Sequence, residues 1–203
     1  PKDVEFINCD IRDADKVFKT MKGVDIVHHN VALVPLTKSG KKFWDVNVTG
    51  SKIAAESALK AGVEGFIHMS SSALYGAVNN FPITNKTPTS PIEIYGRAKL
   101  AGENIVSEIF NNTHAPLIII RPRTILGEGR LGIFQILFEW IKEHKNVYVI
   151  GDGKVKFQFI HALDLMDFYM LALKKGKEGK YNVGAAKFDE LRTCLENIIE
   201  HAK

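Results

Sequence analysis

Cysteine is scarce: the chain has two, Cys9 and Cys194, too far apart to match any metal-binding or redox spacing. Two reduced thiols and no metal site are therefore expected, as in a cytoplasmic protein. Long apolar runs are missing as well, and Pro1-Lys2-Asp3 lacks the apolar core of a signal peptide, so neither a membrane span nor a leader is expected. An excess of charge of one sign is also absent. The 27 basic and 23 acidic residues are scattered, with Lys41-Lys42 and Lys174-Lys175 the adjacent basic pairs, which argues against a nucleic-acid-binding stripe.

What is present reads as 203 residues of ordinary globular composition, 45% hydrophobic and 25% charged, enough for one sizeable core. Apolar segments of strand length alternate with segments of helical period. Strands are predicted at Val4–Cys9, Val24–His29, Gly65–Met69, Ala115–Arg121, Val147–Ile150 and Phe157–His161. Helices are predicted from Asp13, as a cap, to about Lys22, from Lys41 to Ala61 with Gly62 as the stop, from Tyr95 to about Phe110, towards Lys145, and from about Leu163 to Lys174. Loops are read over Asn30–Gly40, broken at Pro35, and over Val78–Pro91. Such alternation predicts an α/β fold with a parallel, doubly wound, Rossmann-type sheet. In that architecture ligands sit outside the carboxyl ends of the strands, where Ser70-Ser71-Ser72 falls after the third predicted strand.

Tyr95 and Lys99, four residues apart, share one face of a helix. A phenol is a poor base at neutral pH, and a neighbouring ammonium favours its ionised form, so the pair suits proton transfer. Alone, this spacing arises readily by chance in a chain with five tyrosines. Its context is what gives it weight. The motifs in question are Cys9-Asp10-Ile11-Arg12-Asp13, Asn47-Val48-Thr49-Gly50, Ser70-Ser71-Ser72-Ala73-Leu74-Tyr75-Gly76, Tyr95-Gly96-Arg97-Ala98-Lys99, Arg121-Pro122 with Gly127, Phe159-Ile160-His161 with Asp164, and Tyr181-Asn182-Val183-Gly184.

In that order and spacing, from Val4 to about Leu195, the chain resembles the extended short-chain dehydrogenase/reductase family, and within it the NAD-dependent sugar-nucleotide epimerases and dehydratases. The resemblance implies Ser71, Tyr95 and Lys99 as catalytic residues: Ser71 the hydroxyl donor, Tyr95 the acid/base, and Lys99 the residue that holds the nicotinamide ribose and tunes Tyr95. It implies cofactor contacts from Asp10 and Ile11 at the adenine, from Asn30, Val31 and Ala32 beside the adenosine half, from Ser70, Tyr95 and Lys99, and from Pro122 at the nicotinamide. Asn47 is expected as scaffold beside the cofactor. Ser72, Arg123, Arg130 and Gln158 are the expected substrate contacts, the arginines because a charged fork suits a diphosphate. Relatives often carry arginine where Gln158 stands.

The family's 4,6-dehydratases place an Asp-Glu pair directly after the catalytic Ser or Thr, where this chain has Ser72-Ala73, and decarboxylating relatives place glutamate at the second position. Epimerisation with internal recycling of bound NAD is the reaction left. Hydride removal from a carbinol requires loss of the hydroxyl proton, which calls for a base within ~3 Å of that oxygen and a donor for the developing alkoxide. The alternatives are an oxidoreductase of the same family acting on a steroid-like or small carbonyl substrate, and a non-catalytic binding protein that keeps the fold.

Gly127-Glu128-Gly129-Arg130-Leu131-Gly132 satisfies the G-x-G-x-x-G pattern. It is read as a substrate loop, because Pro122–Leu126 separates it from its strand and no acidic residue ends a second strand at the proper distance. His161 is read as structural or substrate-contacting. The family's opening glycine turn and the strand that selects NAD or NADP have no counterpart, so the chain is expected to be a fragment beginning at the third strand, with NADP left open. Residues 1–121 are expected to form the partial cofactor-binding domain and 122–203 mostly the substrate portion, interleaved with that core. A homodimer is expected through Phe43–Ala61 and Tyr95–Phe110, with no nucleic-acid or membrane partner.

Overall fold

The computed structural model describes residues 3–34, 40–79, 81–129, 133–149 and 151–202. In chain order the elements are α1 (Ala14–Thr20), β1 (Ile26–His29), α2 (Gly40–Trp44), a π-helical turn (Asp45–Thr49), α3 (Gly50–Ala61), β2 (Gly65–Met69), a 3₁₀ turn (Ser72–Tyr75), α4 (Ile94–Phe110), β3 (Leu117–Pro122) and β4 (Thr124–Leu126). They continue with α5 (Ile133–Lys142), β5 (Lys156–Phe157), β6 (Phe159–His161), α6 (Ala162–Lys175), β7 (Gly179–Val183), β8 (Asp189–Glu190) and α7 (Leu191–His201).

Asp13 caps α1 as expected, its carboxylate accepting from the amide of Lys16 at 3.1 Å. The long helix predicted from Lys41 is interrupted by the π-helical turn at Asn47, and Gly62 ends it in the left-handed region at φ 77°. β1, β2 and β3 pair in parallel, Ile26 with Gly65 and Phe66 with Leu117, each pair joined through helices. With β7 the sheet order is β1-β2-β3-β7. β2 and β3 are buried almost throughout, which is why both read as continuous apolar runs. Ala54, Ala55 and Ala58 of α3 meet Val106 and Phe110 of α4 and Phe66 of β2, small residues admitting large ones at close approach.

Three strand expectations are corrected. Residues 4–10 form no strand; no ladder partner for them exists among the described residues, and Phe6 stands 89% exposed. Residues 147–149 are likewise irregular, with Tyr148 exposed, while Ile150 lies outside the described residues. Phe157–His161 divides at Gln158: β5 pairs antiparallel with β8, and β6 parallel with β4.

The chain forms two compact units. One runs up to Arg121 and takes in Ala172–Asn182; the other comprises Pro122–Leu171 and Val183–Lys203. In the second, Phe134 of α5 packs against Phe157 and Phe159, ring centroids 5.6 and 4.9 Å away. No helix among the described residues is long and apolar enough to cross a membrane.

Candidate active site

The site is set by how closely α4 approaches the carboxyl end of β2. A Cβ on Gly96 would lie 2.5 Å from the carbonyl oxygen of Ala73 and 2.9 Å from Pro91, so only glycine lets the first turn of α4 close onto the Ser72–Tyr75 turn. Gly102 does the same one and a half turns later, where a Cβ would meet the carbonyl of Asn47 at 2.8 Å. Ser71 caps the 3₁₀ turn, its Oγ accepting from the amide of Ala73 at 3.2 Å. A hydroxyl so engaged keeps its own proton to donate.

Tyr95 is half-buried, its ring edge-on to Phe43 at 6.3 Å and packed beside Val48 and Ala98. Lys99, one turn on, is buried, and its ammonium donates to the carbonyl of Met69 at 2.5 Å. Ser71, Tyr95 and Lys99, expected together, thus gather at one edge, made by the end of β2 and the first turns of α4. Burial pulls the Lys99 ammonium down to about 8, with Glu103 acting in the opposite direction.

Two histidines lie behind this edge. His29 and His68 are register partners on β1 and β2, buried, with stacked rings 5.4 Å apart. Burial, reinforced by the nearby Lys99 charge, lowers His29 to about 4 and His68 well below its ordinary value. Both are neutral at pH 7. Ser51 Oγ donates to the carbonyl of Asn47 at 2.8 Å and lies 2.9 Å from His29 Nε2, which must therefore be the protonated nitrogen. Neither ring nitrogen of His68 has a partner among the described residues.

Asn47 is a scaffold residue in the literal sense. Its side chain accepts from the amide of Leu33 at 2.7 Å and donates to the carbonyl of Leu33 at 3.0 Å, as a neighbouring strand would. This pins the segment after β1 that carries Asn30, Val31 and Ala32. Asp10 is exposed and clasped by Arg12 through contacts of 2.6 to 3.2 Å, which hold its carboxyl well below the usual range. Ile11 packs onto the α3–α4 core, under Gly50.

Ser70 is not presented as expected. Its hydroxyl is buried and donates to Glu103 Oε2 at 2.8 Å, because an enclosed carboxylate claims every donor within reach. Glu103, which sequence reasoning missed, also receives Arg121 Nε at 3.0 Å and Nη2 at 2.5 Å, and Lys180 at 3.0 Å. Burial alone would raise its carboxyl; the hydrogen bonds from Arg121 and Lys180 outweigh that and hold it below the usual range. Arg121 in turn donates to Tyr75 at 2.6 Å, and Tyr75 to Asn182 at 2.9 Å. The signal was in the sequence: Arg121 ends an apolar strand, and a charge so placed demands a buried partner.

In the second unit, Arg123 and Gln158 both lie against Gly184, where a Cβ would meet them at 3.0 and 2.8 Å. Burial lowers the Arg123 guanidinium from its ordinary value. Gln158, expected as a substrate contact, gives its amide to the carbonyl of Ala185 at 2.6 Å, closing the connection between β6 and the chain after β7. Pro122 is buried at the end of β3, Ser72 opens the 3₁₀ turn, and His161 Nδ1 accepts from the amide of Leu163 at 3.3 Å at the start of α6. Arg130, with the end of the Gly127–Gly132 pattern, lies outside the described residues. Among the described residues no cluster of His, Cys, Asp or Glu could hold a metal ion.

The chain is similar to an uncharacterized protein, y4nG, of Sinorhizobium fredii, at 42% identity over 98% of this chain and 50% of that protein. It is 28% identical to UDP-arabinose 4-epimerase 1 of Arabidopsis thaliana, over 97% of this chain and 54% of the relative. Of solved structures, UDP-glucose 4-epimerase of Thermotoga maritima with UDP-glucose superposes with a TM-score of 0.89 at 21% identity, over 100% of this chain and 69% of that one. UDP-glucuronic acid 4-epimerase of Bacillus cereus in complex with NAD does so with a TM-score of 0.86 at 25% identity, over 96% and 65%. The chain thus spans about half the length of these curated relatives. The family model described as "NAD dependent epimerase/dehydratase family" matches residues 1–184, and the chain belongs to that family.

Proposed function

We propose that this chain carries the catalytic centre of an NAD-dependent epimerase acting on a nucleotide sugar. The observation that supports it is the gathering of Ser71, Tyr95 and Lys99 at the carboxyl end of β2, on a turn whose next residues, Ser72 and Ala73, offer no carboxylate for dehydration. Relatives that match nearly all of this chain are 4-epimerases of UDP-sugars by name. The residues fit NAD in kind: a buried ammonium to donate to ribose hydroxyls, an exposed Asp10 carboxylate to accept from an adenine amine, and an apolar Ile11 and Pro122 for the flanking rings. Asn30, Val31 and Ala32, held by Asn47, would lie along the adenosine half.

Bound NAD would supply hydride acceptance and return. The chain's own residues do the rest. Tyr95 would take the sugar hydroxyl proton while Ser71 donates to the same oxygen, and Tyr95 would later return that proton to it. Lys99 holds the ribose and favours ionised Tyr95. Arg123 and Arg130 are assigned to the diphosphate; Gln158 contributes through its packing with Arg123. The unit up to Arg121 would hold cofactor and the rest substrate, in a cytoplasmic homodimer formed through α2 to α4.

The test is a screen of UDP-, GDP- and dTDP-sugars with the full-length protein, read by product NMR. An inverted sugar carbon without net NADH is expected. Net NADH turnover on a carbonyl substrate would favour the oxidoreductase alternative, and no conversion with any class would contradict the proposal.

A further inference from the structure

Glu103 is 0% exposed, and an enclosed carboxylate is costly unless both oxygens are fully paired. Here they are, by donors from three different strands or strand ends: Ser70 after β2, Arg121 on β3 and Lys180 on β7. Through Arg121 the grip extends to Tyr75, which closes the turn that Ser71 caps. The turn bearing Ser71 and the helix bearing Tyr95 and Lys99 are therefore both referred to one charge. Well-packed apolar residues could fill the same volume at equal or better stability, but they could not supply a negative charge one helical turn from Lys99.

We propose that Glu103 is a positioning residue for the Ser71, Tyr95 and Lys99 site: it sets the register of α4 on the sheet and provides the counter-charge for the Lys99 ammonium. The proposal rests on reading Tyr95 and Lys99 as the acid/base pair. The titratable groups facing Lys99 are Tyr95 and Glu103 on its own helix, His29 on β1 and His68 on β2, and those facing Glu103 are Arg121 and Lys180. Glu103 is the carboxylate in that set.

The experiment follows the titration of Lys99 in full-length protein labelled with ¹³C and ¹⁵N in lysine, its signal identified by its loss in Lys99→Met. Glu103→Gln should bring the midpoint below about 8 by at least ~0.5, and Glu103→Asp should restore it. Where Glu103→Gln alone does not fold, the double variant Glu103→Gln/Arg121→Met is compared with Arg121→Met, so that the carboxylate is the one charge that differs between the two titrations. A midpoint unchanged in the folded variant overturns the proposal, because a merely structural Glu103 would alter stability and leave Lys99 where it was. The outcome is separable from the sugar screen: an active epimerase whose Lys99 ignores Glu103 refutes this inference alone, and a shifted Lys99 in a protein inert to nucleotide sugars refutes the epimerase reading alone.

Discussion

Two carboxylates in this chain are gripped by arginine in the same forked manner, and they could hardly differ more in consequence. Arg12 and Asp10 are two residues apart, with side chains 37% and 51% exposed, and close a local turn in which the amide of Asp13 reaches the carbonyl of Asp10 at 3.0 Å. Arg121 and Glu103 are 18 residues apart, 5% and 0% exposed, and bind helix α4 to strand β3. Water can replace either partner of the first pair. Water cannot replace a partner of the second, so the same chemistry trims a surface in one place and holds the candidate site together in the other.

The most severe way to break the comparison is Arg121→Ala. It strands the Glu103 carboxylate with Lys180 and Ser70 and is expected to destabilise the full-length protein by about 3–5 kcal/mol, read from the urea midpoint. A loss no larger than that of an ordinary surface substitution would mean the pair is not enclosed.

Acid should come next. The unfolded chain protonates His29 near its ordinary 6.5, whereas the folded chain resists until about 4, so the unfolded state binds more protons in that window. Stability is therefore complete above about pH 6.5 and falls as pH drops to about 4, by on the order of 3 kcal/mol from His29. The depressed carboxyl of Asp10 acts only below this window. His68→Phe should shrink the slope, and a flat urea midpoint between these pH values would show that the histidines are not held neutral. The smallest effect belongs to the surface pair: Arg12→Ala should leave the melting temperature within the scatter of repeated scans, because both partners are already reached by water.

The same contrast of local with distant explains what was legible in the sequence. The Asp13 cap, the Gly62 stop and the β2 and α4 segments were readable because each is decided within a few residues by period and capping. Family likeness marked Ser71, Tyr95 and Lys99, and the close approach at Gly96 shows why glycine follows the tyrosine. Arg121 at the end of an apolar run signalled a buried partner, but that the partner is Glu103, and that Ser70 serves it too, was not readable, since the pairings span 18 and 33 residues. The predicted strands at 4–9 and 147–150 had the right composition and lacked a neighbour to pair with among the described residues, a condition no local pattern reveals. The π-helical turn at Asn47 belongs to the same class, because it serves the backbone of Leu33 rather than its own helix.

The central claim, that Tyr95 moves the proton at the edge built by β2 and α4, is tested most directly by turnover of the full-length Tyr95→Phe variant, measured by product NMR with calorimetric NAD binding alongside. Turnover is predicted to fall by at least ~100-fold with cofactor affinity little changed. Turnover near that of the unaltered protein would contradict it.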